Sequence, residues 1–174
     1  MSILGNRVVR KEDPAFLTEG ATYAADLHDP LLDGALWVTY VRSTFAHGRL
    51  RSVDTGEAAA TPGVVAVFAG ADVDLPPADA TGPPAMARPL LATDTVRFVG
   101  EPVAVIVSEQ PAQGEDAAEL VIVDVDPLPA LVDLEAASNG EVLLFPEAGS
   151  NVVITFGAEP TDDFFDGCEV VVRG

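Results

Sequence analysis

Apolar and polar positions follow one another in short runs along this chain, and the runs predict strands before they predict helices. Leu36-Trp37-Val38-Thr39-Tyr40-Val41-Arg42 is rich in aromatic and β-branched residues and follows Gly34, which predicts a strand continuing toward Ser43. From Gly48 to Val53 charged and polar residues alternate with Leu50 and other apolar positions, so a second strand with one wet face is expected. Asp54 to Ala60 supplies a capping residue and helix formers before Pro62-Gly63 stops them, enough for one short helical turn. Val64 to Phe68 then reads as a buried strand.

Asp72 to Ala87 mixes Pro76, Pro77, Pro83, Pro84 and Gly82 with small residues and predicts a mobile surface loop. Order is expected again from Arg88-Pro89-Leu90-Leu91, followed by apolar runs at Thr95–Val99 and Val103–Val107. Gly100-Glu101-Pro102 separates those runs and predicts a bulge or sharp bend, because proline lacks the ladder N–H and glycine tolerates unusual φ. Ser108 is placed as an N-cap, with Pro111 in the first turn and helix formers from Ala112 to Leu120. Val121 to Val125 is a further strand, so Val103 to Asp126 predicts a β-α-β unit with a right-handed crossover, ended by Pro127-Leu128-Pro129. Beyond Asp133 isolated apolar pairs and Gly140, Gly149, Gly157 and Gly167 predict an extended arm, although Glu169–Arg173 has the composition of a strand whose partner would lie in another polypeptide. No internal repeat is visible.

The 174 residues amount to one domain, and 48% hydrophobic content with mean hydropathy +0.28 supports a core and excludes a disordered chain. Nine Lys and Arg stand against 28 Asp and Glu, a formal net charge of −19. Met1–Arg51 holds six basic and six acidic residues; the remainder holds three and 22, so the surplus negative charge lies wholly after residue 51. Such a surface repels phosphate, which argues against nucleic acid and anionic membranes as partners and leaves a Lys-poor soluble protein, or a docking surface for a cationic partner. Cys168 is the sole cysteine, so an intrachain disulfide is impossible and a reducing compartment is expected. Met1–Arg10 lacks the apolar block of a signal peptide, and the apolar runs fall far short of the roughly 18 residues of a membrane span, so a cytoplasmic location is expected.

Candidate chemistry is sparse. His28 and His47 stand in no triad or metal-ligand spacing, and His47, beside a strand end, reads as a hydrogen-bonded turn histidine before it reads as a general base. Asp162-Asp163-Phe164-Phe165-Asp166-Gly167 lacks the alternating ligands and distal glutamate of a calcium loop. Asp124 and Asp126 have the spacing to share a strand face, as paired acid and base groups require, but a solvated strand end before Pro127 explains them with less. No phosphate-cradling glycine motif is present. Arg42 and Glu101 each interrupt an apolar neighbourhood, which points to a buried ion pair or a contact to another domain ahead of catalysis. No residue is assigned a catalytic, cofactor-binding or metal-binding role.

Arg10-Lys11-Glu12-Asp13-Pro14-Ala15-Phe16-Leu17-Thr18, Tyr23-Ala24-Ala25-Asp26-Leu27, and Val41-Arg42-Ser43 with Ala46-His47 occur in a recognisable order. They are followed by Pro62-Gly63-Val64-Val65-Ala66-Val67-Phe68, Arg97-Phe98-Val99-Gly100-Glu101-Pro102-Val103-Ala104, and Glu115-Asp116-Ala117-Ala118-Glu119-Leu120 with Leu128-Pro129-Ala130. Taken together the blocks resemble the N-terminal part of the large, molybdenum-cofactor-binding subunit of the xanthine dehydrogenase, aldehyde oxidase and carbon monoxide dehydrogenase family, specifically its a/b hammerhead domain. Local departures are Thr44-Phe45 in place of the family's usual Pro-His, Glu19 where glycine is common, and Val125-Asp126 for a typical Tyr-Glu.

The resemblance implies an α+β fold, a hammerhead-like mixed sheet with a β-α-β unit and short helices plus the C-terminal arm. It divides the chain into an N-terminal arm over 1–19, the hammerhead over 20–132 and a linker over 133–174 toward a molybdenum-cofactor domain. Family large subunits continue for several hundred residues, and their catalytic residues map onto no position of this sequence. The resemblance therefore implies a structural domain, inactive as an isolated fragment, with molybdopterin in the rest of the large subunit and [2Fe-2S] and FAD in partner domains or subunits. A stand-alone acidic binding or assembly module is the alternative, and a small acid/base enzyme using Asp124 and Asp126 a more distant one.

Overall fold

Four of the five residues in Val103–Val107 are β-branched, which suits a strand flanked on both edges. In the computed structural model, which describes residues 10–20, 23, 29–74, 76–77, 82–157, 161 and 163–172, that run is the centre of a sheet. Contacts divide the chain into two compact units, Met1–Ala35 and Leu36–Gly174. The first holds a short helix, α1 (Asp13–Thr18), with Pro14 in its opening turn. A 3-10 turn over Pro30–Leu32 follows, where the Asp29 carboxylate accepts from the Leu31 N–H at 2.9 Å.

The second unit carries β1 (Trp37–Arg42), β2 (Gly48–Asp54), β3 (Val64–Ala69), β4 (Thr95–Val96), β5 (Pro102–Ser108) and β6 (Ile122–Pro127). These form two three-stranded sheets, β1-β5-β3 and β4-β2-β6, antiparallel throughout. The α+β hammerhead architecture is thus present, but the expected β-α-β unit is corrected. Strand β5, helix α3 (Pro111–Ala118) and β6 follow in order, yet β5 and β6 belong to different sheets. Both edges of β5 are already occupied by β1 and β3, so β6 has no edge to join there and pairs with β2 instead. No parallel crossover arises.

Helix α3 lies against the first sheet on the face of Thr39, Ile106 and Ser108. Gly114 makes the approach possible: a Cβ there would meet the Thr39 hydroxyl at 2.4 Å and the Ser108 hydroxyl at 3.0 Å. Ser108 does not cap the helix as expected. Its hydroxyl donates to the Gln110 carbonyl at 2.8 Å, Gln110 is the N-cap, and the Gln113 side chain accepts from the Gln110 N–H at 2.9 Å. Val103, Ala104, Ile106 and Ala117 are fully buried, in a core continued by Val96 and Ala92 and by Ala58 of α2 (Gly56–Ala59).

Three further expectations change. Val64–Phe68 is an edge strand with Val65 and Phe68 exposed, since it pairs on one side and its outer face is uncovered. Thr95–Val99 contributes only Thr95–Val96 to a ladder, because the Arg97 N–H is taken by the Glu101 carboxylate and the Glu101 N–H closes a turn on the Phe98 carbonyl. Within the proline-rich stretch, Pro84–Met86 forms a 3-10 turn that buries Met86. The arm begins with α4 (Leu134–Asn139), capped by the Asp133 carboxylate on the Ala136 N–H at 2.8 Å. Asn151 then clips it: its side-chain oxygen accepts from the Leu144 N–H and its amide donates to the Ala137 and Val142 carbonyls. Glu169–Val172 forms no ladder, having no strand edge beside it; Arg173 lies outside the described residues. No helix among the described residues is long and apolar enough to cross a membrane.

Gly114→Val is expected to destabilise the chain by about 1–3 kcal/mol through overpacking between α3 and the sheet. Urea unfolding followed by circular dichroism measures this, and an unchanged midpoint would contradict the close approach.

Candidate functional site

The Gly100-Glu101-Pro102 bend joins β4 to β5 and gathers the most constrained polar groups. Gly100 has φ +93, a left-handed conformation that other residues resist, and its N–H donates to the Ser43 carbonyl at 2.8 Å. The Ser43 N–H returns a bond to the Glu101 carbonyl at 2.8 Å, fixing the bend to the end of β1. Glu101 is 2% exposed; one carboxylate oxygen accepts from the Arg97 N–H, and the other is buried without a partner.

Of the two readings of Arg42 and Glu101, the buried ion pair is not formed between them. Arg42 is exposed, donates from Nη1 to the Gly100 carbonyl at 2.9 Å and lies 5.3 Å from the centre of the Tyr40 ring. A register shift between Val41 and Arg42 sets Arg42 opposite Pro102, while the Glu101 carboxylate is directed to the Arg97 N–H.

Arg97 braces the arm against the second sheet. Its Nε donates to the Leu144 carbonyl at 3.1 Å, its Nη1 to the Thr95 carbonyl at 3.0 Å, and the guanidinium lies 4.7 Å from the Phe145 ring centre. Beside it opens a cleft of about 470 Å³ lined by His47, Arg49, Asp94, Arg97, Phe145 and Glu147 among others. His47 is 7% exposed, with Nδ1 2.8 Å from the Pro129 carbonyl. A carbonyl only accepts, so Nδ1 is the donor in this contact. That contact, with the Leu128 N–H on the His47 carbonyl at 3.0 Å, makes His47 a brace for the turn after β6.

Asp124 and Asp126 do not act as a pair. Asp126 is bound to Arg51, whose guanidinium is held above its ordinary value by that hydrogen bond and charge, while Asp124 is exposed opposite Ser52. In the Asp162–Gly167 stretch the Thr161 hydroxyl and the residue's own backbone N–H hold Asp163 below the usual carboxylate range. Asp162 and His28 lie outside the described residues. Among the described residues no three His, Cys, Asp or Glu side chains converge on a point a metal ion would occupy. What the described side chains show here is bracing: acceptors and planar cations that fix loops. The Arg97–Phe145 brace carries no sequence signal, because its partners are 48 positions apart and the bonds go to backbone carbonyls.

The sequence profile of the aldehyde oxidase and xanthine dehydrogenase a/b hammerhead domain matches residues 18–129. The nicotine 6-hydroxylase large subunit of Paenarthrobacter nicotinovorans is 36% identical over 181 residues, covering 98% of this chain and 22% of that protein. The 6-hydroxypseudooxynicotine dehydrogenase complex subunit gamma of the same organism is 40% identical over 160 residues, covering 84% and 19%. Among solved structures, the aldehyde oxidoreductase from Desulfovibrio gigas superimposes with a TM-score of 0.70 at 28% identity, over 95% of this chain and 19% of that one. The chain therefore spans about a fifth of the length of the curated relatives it matches. Both of those relatives are named as subunits of larger enzymes.

Glu101→Ala is expected to cost about 1–3 kcal/mol by leaving the Arg97 N–H without its acceptor, and Glu101→Gln, which keeps an acceptor of the same shape, less. Equal losses in urea unfolding would show that the carboxylate does not serve as that acceptor.

Proposed function

Because the chain belongs to the aldehyde oxidase and xanthine dehydrogenase family, as its a/b hammerhead domain, we propose that it is the N-terminal structural part of a molybdenum hydroxylase large subunit. In this reading residues 1–19 are an arm, 20–132 the supporting domain, and 133–174 a linker toward polypeptide that carries the molybdenum cofactor. One observation carries the reading: the alignment takes in 98% of this chain and only 22% of a large subunit, so whatever the relatives do beyond that fifth is done by residues this sequence lacks.

The groups the family uses do not fit the residues present. A [2Fe-2S] cluster takes four thiolates or their equivalents, and Cys168 is alone. A phosphate-bearing pterin needs a cradle of free N–H donors or cations. The cleft sets Arg49 and Arg97 beside Asp94 and Glu147, and Arg97 already donates to Leu144 and Thr95. No catalytic step is therefore assigned to this chain. Molybdopterin belongs to the rest of the subunit, with the iron–sulfur and flavin groups in partner domains or subunits, and the 174 residues by themselves are inactive. A cytoplasmic location goes with this reading.

Purified as 174 residues, the chain is expected to contain no stoichiometric molybdenum by metal analysis and to reduce no dye with aldehyde, purine or carbon monoxide. Molybdenum at one atom per chain would overturn the proposal. A stop codon directly after Gly174 would favour the stand-alone acidic module, and an uninterrupted frame with cofactor-binding motifs the large subunit.

A further inference from the structure

Helix α3 covers one face of the β1-β5-β3 sheet; the register shows what lies on the other. Val38 is opposite Val107, which is opposite Ala66, and Tyr40 is opposite Val105, which is opposite Phe68. Directly opposed residues in an antiparallel ladder share a face, and Thr39, Ile106 and Val67 between them point toward α3. The outer face thus carries Val38, Tyr40, Ala66, Phe68, Val105 and Val107, while Val103, on the same side of β5, is fully buried, so the open part of the face begins beyond it. Val38 is 54% exposed, Tyr40 49% and Phe68 37%, and the other three are half-buried.

An antiparallel sheet with one solvated face normally alternates apolar-in and polar-out. Here both faces are apolar, in a chain with 28 acidic residues, and none of those residues falls on this patch. Contiguous apolar surface of this kind on an otherwise charged protein marks an interaction site. At its rim Arg42 lies over the Tyr40 ring, a pairing of the residue types enriched where interfaces are tightest.

We propose that this face is the seat of the polypeptide that continues beyond residue 174 in the large subunit, and that the segment covering it is apolar and uncharged. The inference rests on the function proposed above and adds the surface through which the domain would perform it. Two arguments select this occupant over a second copy of the chain. Relatives are about five times as long, so the larger part of the subunit must be joined to this domain. Two copies meeting face to face would bring two charges of −19 together, a repulsion that opposes self-association, whereas a tethered segment is held at high effective concentration whatever the net charge.

The test uses the full large subunit purified as holoenzyme, with a photo-crosslinking residue introduced singly as Tyr40→p-benzoylphenylalanine and Phe68→p-benzoylphenylalanine, and at exposed Ser52 as the control. Each variant is first checked for wild-type molybdenum content, so that a misfolded protein is recognised and the other position used. Mass spectrometry of irradiated samples is expected to find Tyr40 and Phe68 joined to peptides beyond residue 174, with that product lost at Ser52. Cross-links to another copy of the sheet, to residues 1–35, or to no peptide at all would overturn the assignment. A molybdenum-loaded subunit without the expected cross-links sinks the surface alone. A gene product that ends at residue 174 and binds no molybdenum sinks the function reading, and ultracentrifugation of that chain then reports whether the face pairs copies.

Discussion

The fold depends on strand β5 being paired along both edges. With β1 on one side and β3 on the other, its backbone groups are satisfied within the sheet, and Val103, Ala104 and Ile106 are withdrawn completely from water. This occupancy forces the later choices. The strand after α3 cannot join β5 and must found a second sheet on β2, so the molecule has two small antiparallel sheets where a parallel unit would have given one. It also fixes which faces exist: α3 takes the one that Gly114 lets it approach, and the opposite face is left apolar and, beyond the buried Val103, partly open.

The bend before β5 is the second constraint. Gly100 turns the chain in a conformation that few other residues tolerate, Ser43 holds the bend from β1, and Glu101 reaches back to hold the backbone of Arg97. Arg97 in turn is gripped by carbonyls of β4 and of the arm and by the Phe145 ring. A buried carboxylate, a positive-φ glycine and a planar cation thus connect the first sheet to the second and the second to the arm. Each is a costly or restricted group, and each holds a loop in position.

That distribution of effort agrees with the likeness to a fifth of much longer oxidoreductase subunits. Several polar side chains are turned toward backbone carbonyls: His47 toward Pro129, Arg97 toward Leu144, and Ser108 toward Gln110. No acidic residue stands on the outer sheet face, so the surplus negative charge lies elsewhere and that face stays apolar.

Local patterns along the chain were enough to place β1, β2, β5 and β6 within about two residues, to mark Gly100-Glu101-Pro102 as a bend, and to identify the family by the order of its short blocks. They succeed because β-branched runs, prolines and glycines act through the backbone of the residues that carry them. The partners of those elements were not legible. Nothing in Val121–Val125 shows that β5 has no free edge, nothing in Arg42 or Glu101 shows that one reaches the Gly100 carbonyl and the other the Arg97 N–H, and nothing in Phe145 announces Arg97. Composition and local propensity thus determined which segments become strands, where the chain bends and how its charge is spread. Pairing, the two-sheet arrangement, the Arg97 brace and the bare apolar face were decided only in three dimensions, because each depends on which edges and faces more distant segments have already filled.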